Sequence, residues 1–136
     1  MTEPEAALTA SARASMPFAD VLGLEVMAAS AEEVRARIAW EERLCTSGGI
    51  LHGGALMSLA DAAGAYCAFL NLPEEATGTA TIESKTNFFR AVRNGYVVAT
   101  SRPLHRGKTT IVVETDLRDA VGKHVARVTQ TQAVLR

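Results

Sequence analysis

Two hydrophobic periodicities divide this chain into strand-like and helix-like segments. Within residues 33–40 every second position from Val34 to Ile38 is apolar and the positions between are charged, the period of a strand with one buried face. Residues 54–70 are apolar or small almost throughout, and the run is too long for a strand. Pro73 follows directly, so this segment is predicted to be a helix.

The remaining elements follow from the same patterns and from turn residues. The first fifteen residues are alanine-rich and predict a short helix that Pro17 interrupts. Asn94-Gly95 is a strong turn signal, and glycines near 107 and 122 mark two more hairpins. Five further extended runs are predicted as strands, at about 21–29, 79–89, 96–104, 109–119 and 124–135. We therefore expect one domain over 1–136, in which 1–17 form a helical extension, frayed at its start.

This order of elements, a helix, two strands, a long helix and four strands, predicts an α+β fold. Strands joined by short glycine turns pair as an antiparallel sheet. The long helix is apolar nearly all round, so it must be covered on more than one side. A curved sheet covers much of it, and a second copy of the chain could cover the rest.

Asp61 is the one carboxylate inside the apolar helix, and it calls for an explanation. An unpaired carboxylate in apolar surroundings is costly, and the positions three and four residues away hold no Lys or Arg. Two readings stay open: a carboxylate on a narrow solvent face or paired with a distant Arg, or a catalytic carboxylate acting as general base or nucleophile.

The sequence His52-Gly53-Gly54 stands at the start of the same helix. Backbone N–H groups there are unsatisfied and carry partial positive charge, and glycine lets another group approach them closely. Such a site suits a developing oxyanion, as when a carbonyl is attacked. A glycine loop that merely turns tightly is the alternative.

The spacing of Gly53 and Asp61 bears on the number of chains. Eight residues of helix span about 12 Å, so one carbonyl cannot meet both groups of a single chain. If both serve one reaction, they come from different subunits. We therefore predict an obligate homodimer with two composite sites.

Composition narrows the function classes. The net charge is −1 and aromatic residues make up 5% of the chain, which argues against nucleic-acid and membrane-surface partners. The two cysteines match no zinc pattern, so no metal site is predicted. No signal peptide is evident, and we expect a cytoplasmic protein.

The segment "HGGALMSLADAAGAY" (52–66) resembles the signature of the PaaI-type hotdog-fold acyl-CoA thioesterases. The later segments "NFFRAV" (87–92), "LHRGKTT" (104–110) and "DAVGKHVARVTQTQ" (119–132) resemble the strand and hairpin pattern of that family. The resemblance implies a hotdog fold, with the sheet wrapped around the long helix, and a dimer often paired into a tetramer. It also implies hydrolysis of an acyl-CoA thioester without metal or organic cofactor.

The resemblance also implies roles for individual residues. Gly53 would donate its N–H to the thioester carbonyl, His52 would orient that carbonyl or shape the pocket, and Asp61 of the partner chain would be base or nucleophile. Thr81, on the strand after the helix, is expected to assist. Thr46 stands where many members of the family have Asn or Gln.

The phosphates of coenzyme A need cationic contacts. The candidates for binding them and the rest of the substrate are Arg90, Arg106, Lys108 and the backbone of Gly107, with Gly54 beside the carbonyl site. A non-catalytic acyl-CoA-binding protein on the same fold is the alternative function. An acyl-CoA hydratase or dehydratase ranks lower, because the histidine stands at the helix start.

Overall fold

A computed structural model describes residues 3–136. Three α-helices lie at α1 (Ala6–Ser15), α2 (Pro17–Leu22) and α3 (Gly53–Phe69). The six strands are, in chain order, β1 (Glu25–Ala29), β2 (Val34–Ala39), β3 (Gly78–Phe88), β4 (Tyr96–Arg106), β5 (Thr110–Asp119) and β6 (His124–Leu135). Two short 3₁₀ turns, Glu42–Leu44 and Ser47–Gly49, lie in the segment before α3.

All six strands form one antiparallel sheet in the order β1-β2-β4-β5-β6-β3. The long helix α3 packs on one face of this sheet, and its buried residues include Leu56, Leu59, Ala63 and Cys67. The sheet side of the core comes from alternate strand residues such as Ile38 and Leu117, both fully buried. The predicted α+β fold, a curved antiparallel sheet around one central helix, is confirmed.

The predicted first strand was wrong at its start. Residues 21 and 22 belong to α2, and β1 begins only at Glu25. Pro17 occupies the first turn of α2, where its missing N–H costs nothing, so it begins a helix as well as interrupting one. Gly23 ends α2 with φ 67°, a left-handed conformation that glycine adopts without strain.

The N-terminal extension is joined to the sheet. The Glu5 side chain caps α1 by accepting hydrogen bonds from the amides of Ala7 and Leu8. The Glu5 amide donates to the carbonyl of Val26 at 2.8 Å, and Arg13 Nε donates to the carbonyl of Leu24 at 2.8 Å. The expected fraying at the very start falls on residues 1 and 2, outside the described residues.

Candidate active site

The first turn of α3 leaves one backbone amide unbonded. His52 is the N-cap, and its Nδ1 accepts a hydrogen bond from the Gly54 amide at 2.8 Å. The His52 carbonyl accepts from the amides of Ala55 and Leu56. Within residues 3–136 the Gly53 N–H has no acceptor, so it is the donor that remains for a ligand. The Gly54 amide, a second candidate in the sequence, is already engaged by the cap.

The hydrogen bond to Nδ1 also determines which nitrogen of the His52 ring carries the proton. An accepting Nδ1 leaves the proton of the neutral imidazole on Nε2, which is then a donor. The ring packs so closely that a methyl group on Gly54 would lie 3.0 Å from Nδ1. His52 therefore fixes the geometry of the turn, in keeping with the expected shaping role.

Asp61 lies midway along α3 and is exposed in this chain. Its Oδ1 accepts two hydrogen bonds, from Thr81 Oγ1 on β3 at 2.8 Å and from Gln130 Nε2 on β6 at 3.2 Å. No group in the described chain bonds its Oδ2. The exposure of Asp61 agrees with a carboxylate on a solvent face. The pairing with a distant Arg is wrong within the described chain, because two neutral donors hold the carboxylate.

A β-bulge on β3 places Thr81 beside this carboxylate. Thr81 pairs with Gln132, but Glu83 pairs with Thr131, so Ile82 is the extra residue. Without the bulge, residues 81 and 88 would face opposite sides of the sheet, since successive strand residues alternate. With it, Thr81 faces α3 at Asp61 and Phe88 faces α3 at Gly53, where a methyl group would lie 3.2 Å from the Phe88 ring.

A second set of polar groups lies behind Thr81. Gln132 Nε2 donates to Thr81 Oγ1 at 2.7 Å, and Thr79 Oγ1 donates to Gln132 Oε1 at 3.0 Å. Gln130 and Gln132 are both fully buried. Our reading of the sequence missed them, although period-two alternation from buried Val128 places both on the face that meets the helix.

Thr46 lies in the segment that leads into α3. It is exposed, and its amide donates to the carbonyl of Ile50 at 2.8 Å, closing the turn at Ser47–Gly49. An isolated bridge between Cys45 and Leu51 ties the segment together. Thr46 has no hydrogen bond to Asp61 in this chain.

The cationic candidates are not brought together within one chain. Arg90 lines a cleft of about 240 Å³ with Asn94, just before β4, whereas Arg106 ends that strand. The eleven residues of β4 separate these two ends by about 30 Å. Arg106 instead lies close enough to Cys67, near the end of α3, for its charge to act on the thiol. Lys108 is in the hairpin directly after Arg106.

Gly107, whose backbone is predicted to bind phosphate, has its amide engaged within the chain. The Gly107 amide already donates to the carbonyl of Thr110 at 2.8 Å, closing the hairpin between β4 and β5. A methyl group at Gly107 would lie 2.7 Å from that carbonyl and from the His105 ring, so the glycine serves close packing.

Two further cations near Arg90 were missed by the sequence analysis. Arg93 and Lys123 line the same cleft, which faces the hairpin between β5 and β6. Arg93 Nη1 donates to the carbonyl of Gly48, and the Leu51 amide donates to the carbonyl of Val92. The Arg90 end of the sheet is therefore the end at which α3 begins.

Two adjoining clefts run along α3 from Asp61 toward its C-terminus. One, of about 190 Å³, lies between α2 and α3 and is lined by Asp61, Ala62, Ala65 and Met16 among others. The second, of about 480 Å³, lies between α1 and α3, shares Met16 and Ala65, and extends to Phe69. Phe69 is 56% exposed in this chain.

Cys67 is the buried cysteine of the two, and Cys45 is half-buried. Burial raises the pKa of the Cys67 thiol to about 11, partly offset by Arg106, so this thiol is neutral and poorly nucleophilic at neutral pH. Residues 3–136 contain no cluster of three or more His, Cys, Asp or Glu side chains suited to a metal ion. No helix in this part of the chain is both long and apolar enough to cross a membrane.

Comparison with known proteins agrees with this architecture. The thioesterase superfamily model matches residues 48–126, more than half of the chain. A Saccharolobus solfataricus protein, provisionally named as an esterase, is 34% identical over 83% of this chain and 81% of its own length.

Solved structures of other proteins are also similar to this chain. A mutant of thioesterase PA1618 from Pseudomonas aeruginosa superposes with a TM-score of 0.87 at 29% identity, covering 93% of both chains. The Escherichia coli PaaI protein, at 21% identity and a TM-score of 0.82, covers 95% of this chain and 92% of its own and shares the fold. The family match and the fold together define a hotdog-fold thioesterase. The chain belongs to the thioesterase superfamily, PaaI-like in architecture.

Proposed function

We propose that this protein is an acyl-CoA thioesterase that uses Asp61 as its catalytic carboxylate. The observation that carries the proposal is the contrast between the two Asp61 oxygens. Oδ1 is held by Thr81 and Gln130, while Oδ2 has no partner in the described chain. A fixed carboxylate with one free oxygen can take a proton from water or attack a carbonyl carbon.

In the reaction, the Gly53 N–H would donate to the thioester oxygen as negative charge develops there. By the general-base route, Asp61 takes a proton from water, and the water oxygen bonds to the carbonyl carbon. The carbon–sulfur bond then breaks, the acid is released, and the thiolate of coenzyme A takes up a proton. By the nucleophilic route, an Asp61 oxygen bonds to the carbonyl carbon and the carbon–sulfur bond breaks, which releases the thiolate of coenzyme A to take up a proton. Water then hydrolyses the resulting anhydride to the free acid and the Asp61 carboxylate. No metal or organic cofactor takes part in either route.

Gly53 and Asp61 lie on one continuous helix, eight residues apart, so about 12 Å separates them within a chain. We therefore propose a homodimer whose two sites each combine Gly53 of one protomer with Asp61 of the other, with pairing of dimers into a tetramer. The outer edge of β3 is an observation that supports the proposal of a partner chain. It is eleven residues long, has no backbone partner within residues 3–136, and exposes Ile82 and Phe88.

The surfaces around the site suit a substrate that has an apolar part and an anionic part. The clefts beside Asp61 and along α3 are lined mainly by apolar side chains, which suits an apolar acyl group. Arg90, Arg93 and Lys123, at the end where α3 begins, are suited to the phosphates of coenzyme A. Arg106 and Lys108 could serve the same ligand only from a partner chain. We expect the protein in the cytoplasm, where acyl-CoA is made and used.

The test measures hydrolysis of acetyl-, hexanoyl-, lauroyl-, benzoyl- and phenylacetyl-CoA by the amount of free thiol that is released. We expect Asp61→Asn to lower kcat by about 10²- to 10⁴-fold, because the amide cannot take a proton. Asp20→Asn, an exposed aspartate on α2, is the matched control and should leave kcat unchanged.

Two results would contradict the proposal. Equal turnover by Asp61→Asn and the parent would exclude Asp61 as base or nucleophile. Tight binding of acyl-CoA without turnover by the parent would favour the non-catalytic binding protein.

A further inference from the structure

Gln130 and Gln132 place two whole amide groups where the core is otherwise apolar. Both are fully buried, in a strand whose other inward-facing residues include Val128 and Ala126. A buried polar group costs free energy unless every donor and acceptor is paired. Their surroundings therefore show whether they serve the sheet or something beside it.

A buried polar pair elsewhere in the sheet gives the comparison. Ser101 on β4 and Thr115 on β5 are also fully buried, and their hydroxyls bond each other at 2.7 Å. We call this pair closed, because the hydroxyls of the two residues share one hydrogen bond, with either oxygen as donor, and neither bonds a group of the candidate site. It has no hydrogen bond to Asp61 or to the two glutamines.

The glutamines are not closed in this way. Gln130 Nε2 donates a hydrogen bond to Asp61 Oδ1. Gln130 Oε1 is buried and has no hydrogen-bond partner in the described chain. A carboxylate only accepts hydrogen bonds, so Asp61 fixes which end of the amide faces it. The unpartnered oxygen is a standing cost that an apolar side chain of the same size would avoid.

Gly64 makes room for this arrangement. A methyl group on Gly64 would lie 2.0 Å from Gln130 Oε1, which no real contact allows. Glycine within a helix is less stabilising than alanine, so the helix is less stable here and the Gln130 amide has room to reach Asp61.

Gln132 acts on the same oxygen through Thr81. Its Nε2 donates to Thr81 Oγ1, so the single hydroxyl proton of Thr81 is free to donate to Asp61. Thr79 Oγ1 lies within hydrogen-bond distance of two acceptors, Gln132 Oε1 at 3.0 Å and the Ala133 carbonyl at 2.9 Å. From Gln132 onward the hydrogen bonds run in one direction, through Thr81 to the carboxylate.

We infer that Gln130 and Gln132 are positioning residues, which lock Asp61 Oδ1 against the sheet and leave Oδ2 as the oxygen that reacts. This inference rests on the proposed function for its kinetic consequence. Its structural content is separate: without the two amides, the carboxylate loses its fixed orientation. Neither glutamine touches the substrate in this scheme.

The main test replaces Gln130 by methionine, which keeps the volume and removes the amide. We expect kcat to fall about 10- to 100-fold with KM changed less than threefold, because misplacement of a reacting group costs rate rather than binding. The melting temperature should not fall, since an unpartnered oxygen is removed. Gln132→Met should lower kcat less, because it acts through Thr81.

Gly64→Ala is the second variant and deletes no hydrogen-bonding group. It should push the Gln130 amide away from Asp61 and lower kcat by a similar factor, while adding little in the Gln130→Met background. Ser101→Ala, which opens the closed pair, is the matched control. We expect it to lower the melting temperature and leave kcat unchanged.

The Asp61→Asn background separates positioning from a structural role. There, Gln130→Met should not lower the residual rate further, since no carboxylate remains to be positioned. An equal loss in both backgrounds, or an unchanged kcat in Gln130→Met with Asp61 intact, would overturn the inference.

Crystal structures of the parent and of Gln130→Met give a readout apart from activity. We expect the Asp61 carboxylate to be turned or disordered in the variant, and an unmoved carboxylate would overturn the inference. A parent without thioesterase activity would contradict the proposed function alone, and this structural comparison would then decide the positioning.

Discussion

The two chemical groups of helix α3 are held by different parts of the molecule. At its first turn, His52 bonds the Gly54 amide and thereby leaves the Gly53 amide unbonded, an arrangement made by three consecutive residues. At its middle, Asp61 is held from β3 and β6, by residues 20 and 69 positions away along the chain. The donor is therefore a local feature and the carboxylate a tertiary one. Damage to the sheet should disable the carboxylate before the amide.

Gly53→Pro removes the donor at the first turn of α3 and leaves the hydrogen bonds of Asp61 in place. Proline is well tolerated at the first position of a helix, and His52, with φ −62° and ψ 135°, already has the conformation favoured before proline. The N–H is lost, and the Cβ of proline approaches the Phe88 ring at 3.2 Å, as the methyl group of alanine would. We expect the fold to persist and kcat to fall about 10²- to 10³-fold. Thiol release with the best acyl-CoA measures it, and circular dichroism checks the fold.

Gly53→Ala is the matched variant, because it keeps the amide. Its methyl group would approach the Phe88 ring at 3.2 Å, and this half-exposed ring can shift. We expect less than a tenfold loss of kcat. Equal activity of the proline and alanine variants would show that the Gly53 amide takes no part in the reaction.

Mixing the Gly53→Pro and Asp61→Asn chains sharpens the comparison by asking whether the two halves meet across a dimer. In a mixed dimer, one site has both defects and the other has neither. With full exchange half of the dimers are mixed, so about a quarter of the parent activity should return in a two-fold symmetric dimer.

The control is to mix each variant with itself, which should restore nothing. Mass spectrometry of differently tagged chains establishes that exchange has occurred. Proven exchange between folded chains with no recovery of activity would contradict the composite site.

The same local-against-tertiary contrast explains what could be predicted from the sequence. The apolar run and the glycines at its start predicted α3 to within one residue at each end, because periodicity and capping depend on neighbouring residues. Hairpin turns predicted the antiparallel sheet in the same way. The separate helix α2 was missed because Pro17 was interpreted only as a helix breaker, and because Val21 and Leu22 continue an apolar run that a short helix and a strand share.

The surroundings of Asp61 could be predicted only in part. Family resemblance pointed to Thr81, and the hydrogen bond to Asp61 agrees with that placement. Gln130 could not be paired with Asp61 from one sequence, because the contact depends on the order of strands in the sheet. The bulge at Ile82 was equally hidden, and without it Thr81 and Phe88 could not both face α3.

Ala65→Leu has the smallest and most selective expected effect, and it tests whether the acyl group lies on the Asp61 side of α3. Ala65 lines both clefts, so a larger side chain there would narrow the path between them. We expect kcat/KM for lauroyl-CoA to fall at least about tenfold and that for acetyl-CoA to change less than threefold, because only the longer chain needs the second cleft. Ala14→Leu, an exposed position on α1, is the control. A uniform loss over all chain lengths would place the acyl group elsewhere and leave the clefts without a part in substrate selection.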